Sequence, residues 1–319
     1  MTTDTLKRNN LLGALCAFSA MVCVSFNDMA FKFLSGGYAL HQIVFLRATI
    51  GLVVFAVVVM PLNGGLRVIR TRRPWAHLLR GCFVVCANMA LFLGLAAMPL
   101  AEAVAITFIS PLLIAVMSVI FLNETVGPRR WAAIIVGFAG VLVIVQPGTA
   151  AFQAASLLPA LAALLYSSMH MVTRRIRATE SAPTMSFYTM LSFAVASAAF
   201  GLVFGDGRFA GGMHPSLEFL LRAWGPIARG DVAIIVTLGA LSVLSSLLVS
   251  QTYRLSEAAF AAPFEYVAMP LAIMWGVTVF GTWPAPNAWA GIALILGSGL
   301  YMLWRESIRG TPTPPTQRR

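Results

Sequence analysis

The stretch Pro128-Arg129-Arg130-Trp131-Ala132-Ala133-Ile134 has an echo in Pro286-Asn287-Ala288-Trp289-Ala290-Gly291-Ile292. In both, a proline stands three residues before a tryptophan and an apolar run follows. Upstream, Leu100-Ala101-Glu102-Ala103 has a looser counterpart in Leu255-Ser256-Glu257-Ala258, with a small insertion between the two anchors. The same order occurs twice, so the chain reads as two copies of one unit.

The composition says what solvent those units need. Hydrophobic residues make up 59% and charged residues 10% of the chain, against about 25% charged in a soluble domain. A mean hydropathy of +0.84 points the same way, to a bilayer. A spanning helix needs roughly 20 mostly apolar residues at 1.5 Å each. Such runs fall near 11–34, 41–61, 75–98, 101–123, 130–147, 154–173, 184–204, 230–253, 256–281 and 287–304. The expected fold is therefore an all-α integral membrane protein of ten transmembrane helices. Each repeat holds five of them, an odd number, so the second copy enters the membrane from the opposite side: two inverted five-helix repeats, 1–150 and 151–305, with a cytoplasmic tail over 306–319.

Orientation follows from the cations, because short cytoplasmic loops keep Lys and Arg. Lys7 and Arg8 precede the first span; Arg67, Arg70, Arg72 and Arg73 follow the second; Arg129 and Arg130 follow the fourth; Arg174, Arg175 and Arg177 follow the sixth. Arg254 and the tail arginines continue the series, whereas the connectors around Gly36, Pro99, Gly148 and Thr282 carry no Lys or Arg. Both termini are expected in the cytoplasm. The exception is 205–229, with Arg208, Arg222 and Arg229, the longest loop and long enough for a short surface helix. The first apolar run ends in Asn27 and Asp28 rather than at a small-residue cleavage site, and reads as a retained helix. The net charge of +11 is accounted for by topology beside anionic lipid, so no nucleic-acid role is expected. Cys16, Cys23, Cys82 and Cys86 all lie in apolar spans and read as packing residues.

Ionisable groups at membrane depth cost at least ~2.5–3.5 kcal/mol on insertion scales, so each needs a partner, a cavity or a function. Asp28 and Lys32 share a helix face at i, i+4, and Arg47 lies at similar depth in the second span. An ion pair clamping the first two spans, or a gating or anion-attracting role for Arg47, fits that placement. Glu265 sits inside the ninth span between Pro263 and Pro270, where proline opens the helix ladder beside a carboxylate. It can bind a cation or amine, take up a proton, or bond a neighbouring helix as a neutral acid. At comparable depth lie Tyr266, Asn88, Thr107, Ser110, Tyr166, Ser242 and Ser246, a candidate polar layer for substrate, although such side chains also bridge helices. Arg80, His170 and Glu102 lie nearer span ends, where snorkelling is the cheaper explanation.

Phe45-Leu46-Arg47-Ala48, the segment Ala103 to Glu124 around Ser110-Pro111-Leu112 with its terminal Leu122-Asn123-Glu124, and Gly137-Phe138-Ala139-Gly140 resemble the EamA-type drug/metabolite transporter superfamily. So does the second copy from Leu255-Ser256-Glu257-Ala258 through Ala262-Pro263 to Phe280-Gly281. One departure is Thr282, where the family often has a glutamate after the glycine, so Glu124 has no symmetric partner. The resemblance implies two inverted five-helix halves in a bacterial inner membrane and gradient-driven transport of a small-molecule solute, by a monomer or a homodimer. Riboflavin uptake is the first substrate it suggests, with S-adenosylmethionine transport or amino-acid and drug export as alternatives. An intramembrane enzyme is disfavoured: the chain has no His-Glu-x-x-His pair, no Walker-type loop, no pair of buried aspartates, and no histidine at the depth of Gly297-Ser298-Gly299. No cofactor or metal is expected. A non-transporting receptor or scaffold leaves the repeat unexplained.

Overall fold

The architecture comes from a computed structural model that describes residues 3–122, 127–149, 152–176, 179–211, 214–255 and 262–309. Its elements are α1 (Thr3–Leu34), α2 (Leu40–Val54), α3 (Pro74–Ala97), α4 (Leu100–Thr107), α5 (Ser110–Leu122), α6 (Pro128–Val145), α7 (Leu157–Ile176), α8 (Ala182–Phe204), α9 (Pro215–Leu221), α10 (Arg229–Leu255), α11 (Ala268–Phe280) and α12 (Pro286–Arg309). No strand occurs among the described residues. Nine helices there are long and apolar enough to cross a membrane, which makes this a multi-pass membrane protein.

Prolines shape the departures from straight spans. Pro61 has no amide to give and crowds the carbonyl four residues back. The end of α2 accordingly widens into a π turn at Phe55–Val59 before closing at Leu62. The fourth expected span is broken between α4 and α5. Pro111 cannot donate to the Thr107 carbonyl, and the amide of Phe108 turns instead to the carbonyls of Val104 and Ala105 at 3.3 and 3.1 Å. The ninth expected span is also interrupted. Ala262–Val267, which contains Pro263, forms a tight 3-10 turn, and only the 13 residues of α11 follow it as α-helix. At 1.5 Å per residue α11 is roughly 20 Å long, short of the ~30 Å hydrocarbon core. Residues 256–261, where that span was expected to start, lie outside the described residues.

The helices pair closely: α1 with α10, α3 with α7, α6 with α12, α2 with α8 and α10, and α3 with α8. Smaller contacts join α5 to α7, α1 to α11 and α4 to α11. In lipid these contacts rest on packing and interhelical hydrogen bonds rather than on water exclusion. Glycine permits one close approach. A Cβ on Gly140 would stand 2.9 Å from the Gly291 carbonyl oxygen, and a Cβ on Gly291 would stand 2.7 Å from that of Gly140, so α6 and α12 cross backbone to backbone. Facing outward, Leu202 is 89% exposed, as a lipid-facing side chain should be. Trp75, Trp283 and Trp304 are exposed near helix ends, where indoles favour the membrane interface.

At the arginine-rich end, the 3-10 segment Gly65–Ile69 and the residues after it are pinned to α8. His77 Nε2 lies 3.2 Å from Glu180 Oε2, both side chains buried, and the Arg72 amide donates to Glu180 Oε1 at 3.2 Å. Tyr188 stacks on His77 with ring centroids 4.4 Å apart and donates to the Ile69 carbonyl at 2.9 Å. Burial would raise the Glu180 pKa, but bonds from His77, Thr71 and the Arg72 amide together outweigh it and hold the group below its ordinary value of 4.5. A carboxylate depressed in the folded state contributes stability that is present above the unfolded pKa and lost as pH falls through the folded one. The melting temperature of the purified protein should therefore drop on acidification below about pH 4.5. Glu180→Gln should flatten that acid limb, and an unaltered limb in the variant would assign it to other groups.

Candidate functional site

Six helices turn polar faces toward a central cavity of ≈ 310 Å³. From α1 come Cys23, Val24, Asn27 and Asp28; from α2, Arg47, Ala48 and Gly51; from α3, Arg80, Val84 and Asn88. The opposite walls are Tyr166 and Met169 of α7, Ser186, Thr189, Met190 and Phe193 of α8, and Leu241, Ser242, Ser245 and Ser246 of α10. Successive spacings of one, three or four residues along each helix put these groups on one face. The volume lies at the lower end of the ~300–1,000 Å³ typical of small-molecule sites.

Arg47 is buried and set among three aromatic rings. Its guanidinium carbon lies 4.9 Å from the Phe193 ring centre, 5.0 Å from Phe31 and 5.9 Å from Phe92, and Nη1 donates to Asn27 Oδ1 at 3.3 Å. Phe31 and Phe92 themselves stack at 3.8 Å. Desolvated cation-π contacts of this sort contribute on the order of 1–2 kcal/mol each. Asp28 shares the cavity wall with Arg47, but no ion pair within 4.0 Å joins them among the described residues. Asn88 donates to the Tyr166 hydroxyl and to the Val84 carbonyl at 3.1 Å, which ties α3 to α7 at the same level.

Of the residues singled out from the sequence, Asp28, Arg47, Asn88, Tyr166, Ser242 and Ser246 meet in this cavity. Lys32 does not. It turns away from Asp28 to donate to the carbonyls of Leu95 and Met98 at 2.7 and 2.6 Å, capping the C-terminal end of α3. Ser110 lies 3.2 Å from the Ser167 hydroxyl and donates to the Ala163 carbonyl at 3.3 Å, so it joins α5 to α7. Thr107 donates back to Val104 at 2.6 Å. Tyr266 stacks on Phe108 with centroids 5.1 Å apart, which brings the two broken spans together. Glu265 lies on the 3-10 turn, with its side chain outside the described residues.

Sequence reasoning missed Asn27, Arg80, Ser186, Thr189 and Ser245. Arg80 does not snorkel. Its Nε donates to Thr173 Oγ1 at 2.9 Å, and Nη1 donates to the Met185 carbonyl at 2.9 Å and to Thr189 Oγ1 at 2.7 Å. The four-residue spacing Arg80-Val84-Asn88 was the available signal, since it aligns Arg80 with a residue already chosen.

The two ends of the bundle differ. A second cavity of ≈ 520 Å³ adjoins the first through Ser186, Met190 and Ser246. It runs to Asn63, Ala182 and Gln251, where the second span ends, α8 begins and α10 nears its end. At the opposite end, the segment between α8 and α10 is strapped over the α1–α2 connector. Tyr38 donates to Asp231 Oδ2 at 2.6 Å and accepts from the Ala228 amide at 3.0 Å. The Gln42 amide donates to the Gly225 carbonyl at 2.6 Å and accepts from its N–H at 3.2 Å. Trp224 donates to His41, and Arg222 donates to the carbonyls of Ser35 and Tyr38 at 2.9 and 3.3 Å. The short helix α9 adds Ser216, which donates to Leu93 at 2.7 Å.

A sequence model of the EamA-like transporter family matches residues 11–146. A riboflavin transporter of Rhizobium johnstonii is 31% identical over 77% of this chain and 75% of its own. An S-adenosylmethionine uptake transporter of Rickettsia prowazekii is 23% identical over 95% and 96% of the two chains. A solved crystal structure with 21% identity superposes with a TM-score of 0.62 over 94% of this chain and 99% of its own, a likeness of fold.

Proposed function

The chain belongs to the EamA-like transporter family, and from that premise we propose that it carries a small organic metabolite across a bacterial inner membrane by alternating access, with riboflavin uptake as the first reading. The single observation that carries the reading is the cavity at the centre of the bundle, lined by Asp28, Arg47, Arg80 and Asn88, continued toward one end by a second cavity and strapped shut at the other. With the arginine-rich loops in the cytoplasm, the reachable end is the cytoplasmic one.

The pattern of helix contacts supports two inverted halves, and with them the mechanism. If spans one to five exchange with six to ten, the pair α1 with α10 becomes α7 with α3, α2 with α10 becomes α8 with α3, and α5 with α7 becomes α11 with α1. Each member of these exchanges is an observed contact, and the pairs α2 with α8 and α6 with α12 map onto themselves. The displacement that carries Trp131 to Trp289 also carries Gly140 to Ser298 and Gly137 to Ile295. A Cβ on Gly140 would meet Ile295, and one on Gly137 would meet Ser298, each at 2.9 Å. Halves related in this way can swap conformations, which closes one end of the cavity as the other opens. Both fourth spans are broken, as discontinuous helices are in inverted-repeat transporters.

Riboflavin is preferred because the 31% identical relative carries that name. S-adenosylmethionine is the second reading, from a relative matched over nearly its whole length. Counterflow in liposomes against riboflavin, S-adenosylmethionine and amino acids tests both at once and assumes nothing about ion coupling. Exchange of labelled riboflavin is expected. Exchange of S-adenosylmethionine alone would favour the second reading, and no exchange with any of the three would reject both.

A further inference from the structure

We infer that the cavity has two polar poles, and that Arg80 with its neighbouring hydroxyls reads an oxygen-rich arm of the ligand while the Asp28, Arg47 and Asn88 pole receives a flat heterocycle. The inference rests on the reading of this cavity as the substrate site. Along α3, Arg80, Val84 and Asn88 stand four residues apart on the cavity wall, so the two polar ends are separated by roughly 12 Å at 1.5 Å per residue. The wall between them is apolar, made by Val84 with Met169 and Met190. Gly51 leaves that waist open, since a Cβ there would touch the Met190 sulfur at 3.5 Å.

Asn27, Asp28, Arg47, Asn88 and Tyr166 offer hydrogen-bond donors and acceptors side by side, as the edge of a heterocyclic amide or imide requires. The pole at Arg80 differs in kind. Thr189 bonds the guanidinium, and Ser186 and Ser246 lie 2.6 Å apart beside the passage into the second cavity. These are one cation and three hydroxyls, a set suited to hydroxyl or phosphate oxygens. Nε and Nη1 of Arg80 are held by Thr173, Met185 and Thr189, and Nη2 has no hydrogen-bond partner among the described residues. The fork is fixed by two of its nitrogens and keeps donors on the third for a ligand.

The bonds that fix Arg80 also join α3 to α7 and α8, so the test must separate reading from clamping. Purified full-length protein is titrated with riboflavin, lumiflavin and flavin mononucleotide, with flavin fluorescence as the readout. The three share one ring system and differ only in the arm, which is a polyol, a methyl group or a phosphorylated polyol. Arg80→Gln is expected to weaken riboflavin binding about tenfold and to leave lumiflavin within about twofold, as for loss of one hydrogen bond to a charged group. Flavin mononucleotide binding the wild type more tightly than riboflavin assigns the pole to phosphate, and weaker binding assigns it to the free polyol. Equal losses for riboflavin and lumiflavin would make Arg80 a clamp and overturn the inference, as would no loss for either. Wild-type protein that binds none of the three would reject the flavin reading, and this inference with it. If Arg80→Gln does not accumulate folded, Arg80→Lys, which keeps the charge without the fork, is compared in the same way.

Discussion

Cross-linking Gln42→Cys to Gly225→Cys with a short bifunctional thiol reagent is expected to abolish transport while leaving substrate binding from the Asn63 end intact. The native cysteines Cys16, Cys23, Cys82 and Cys86 are first replaced by alanine or serine. Gln42 and Gly225 exchange two hydrogen bonds, and a Cβ at Gly225 meets nothing within 4 Å, so a thiol there is sterically tolerated. Around them Tyr38, Trp224, Arg222 and Ser216 add further bonds across the same seam. Each is worth about 0.5–1.5 kcal/mol net, and rather more where Arg222 or Asp231 contributes a charge. On the proposed mechanism a handful of such bonds keeps this end shut and yet lets substrate binding tip the balance, because a two-state device needs a gap of only a few kcal/mol. A covalent bridge removes that freedom. Transport should fall to background and return once the bridge is cleaved. Full transport with the bridge intact would mean that the strap is a fixed lid and that access alternates elsewhere.

That strap shows where sequence reading works and where it stops. Apolar length identified the spans because the bilayer imposes one thickness on every helix. Proline marked the break at Pro263, whereas the break before Pro111 was not expected from the sequence, and the shape of each depended on which carbonyls found other donors. At 205–229 the positive-inside rule has little to count, because it treats every arginine as a topology signal. Arg222 is bound to backbone carbonyls of the α1–α2 connector and lies 3.2 Å from Glu218. Arg208 lies 3.3 Å from Asp206 and donates to the Val203 carbonyl at 2.9 Å. Both arginines are committed to local partners, which makes them poor counters of topology.

The cavity lining was legible in depth and illegible in azimuth. Counting residues from a span end placed Asn88, Ser110, Thr107 and Tyr166 at one level. Which way each points depends on neighbours far away in sequence. Ser110 faces Ser167 on α7, whereas Asn88 and Tyr166 face the cavity. Lys32 is the sharper case. Helix geometry offers it Asp28 at i, i+4, but the last carbonyls of α3 have no partners within their own helix and carry the negative end of its dipole. Lys32 satisfies two of them at once.

Asp28 and Arg47 give the remaining large effect. They share a cavity wall without an ion pair within 4.0 Å, so neither is neutralised by direct contact. Opposite charges that line one cavity still attract in a partly desolvated site, since Coulomb energy falls only as the inverse of distance and dielectric. Asp28→Asn leaves the buried Arg47 with Asn27 and three aromatic rings. Arg47→Met fills a similar volume but leaves Asp28 without the Arg47 cation that lines the same cavity. Each single change is expected to destabilise the solubilised protein by about 1–3 kcal/mol, below the 3–5 kcal/mol typical of a broken contact pair. The double change should lose less than the two single changes together, because it removes both charges and with them the cost of leaving either one buried alone. Thermal unfolding of the four proteins measures the coupling directly, and strictly additive losses would deny any pairing between the two groups. On the proposed reading of the cavity, transport should fail in all three variants regardless of stability, since each removes part of its charged pole. A double variant that is stable and still transports would remove Asp28 and Arg47 from the substrate site altogether.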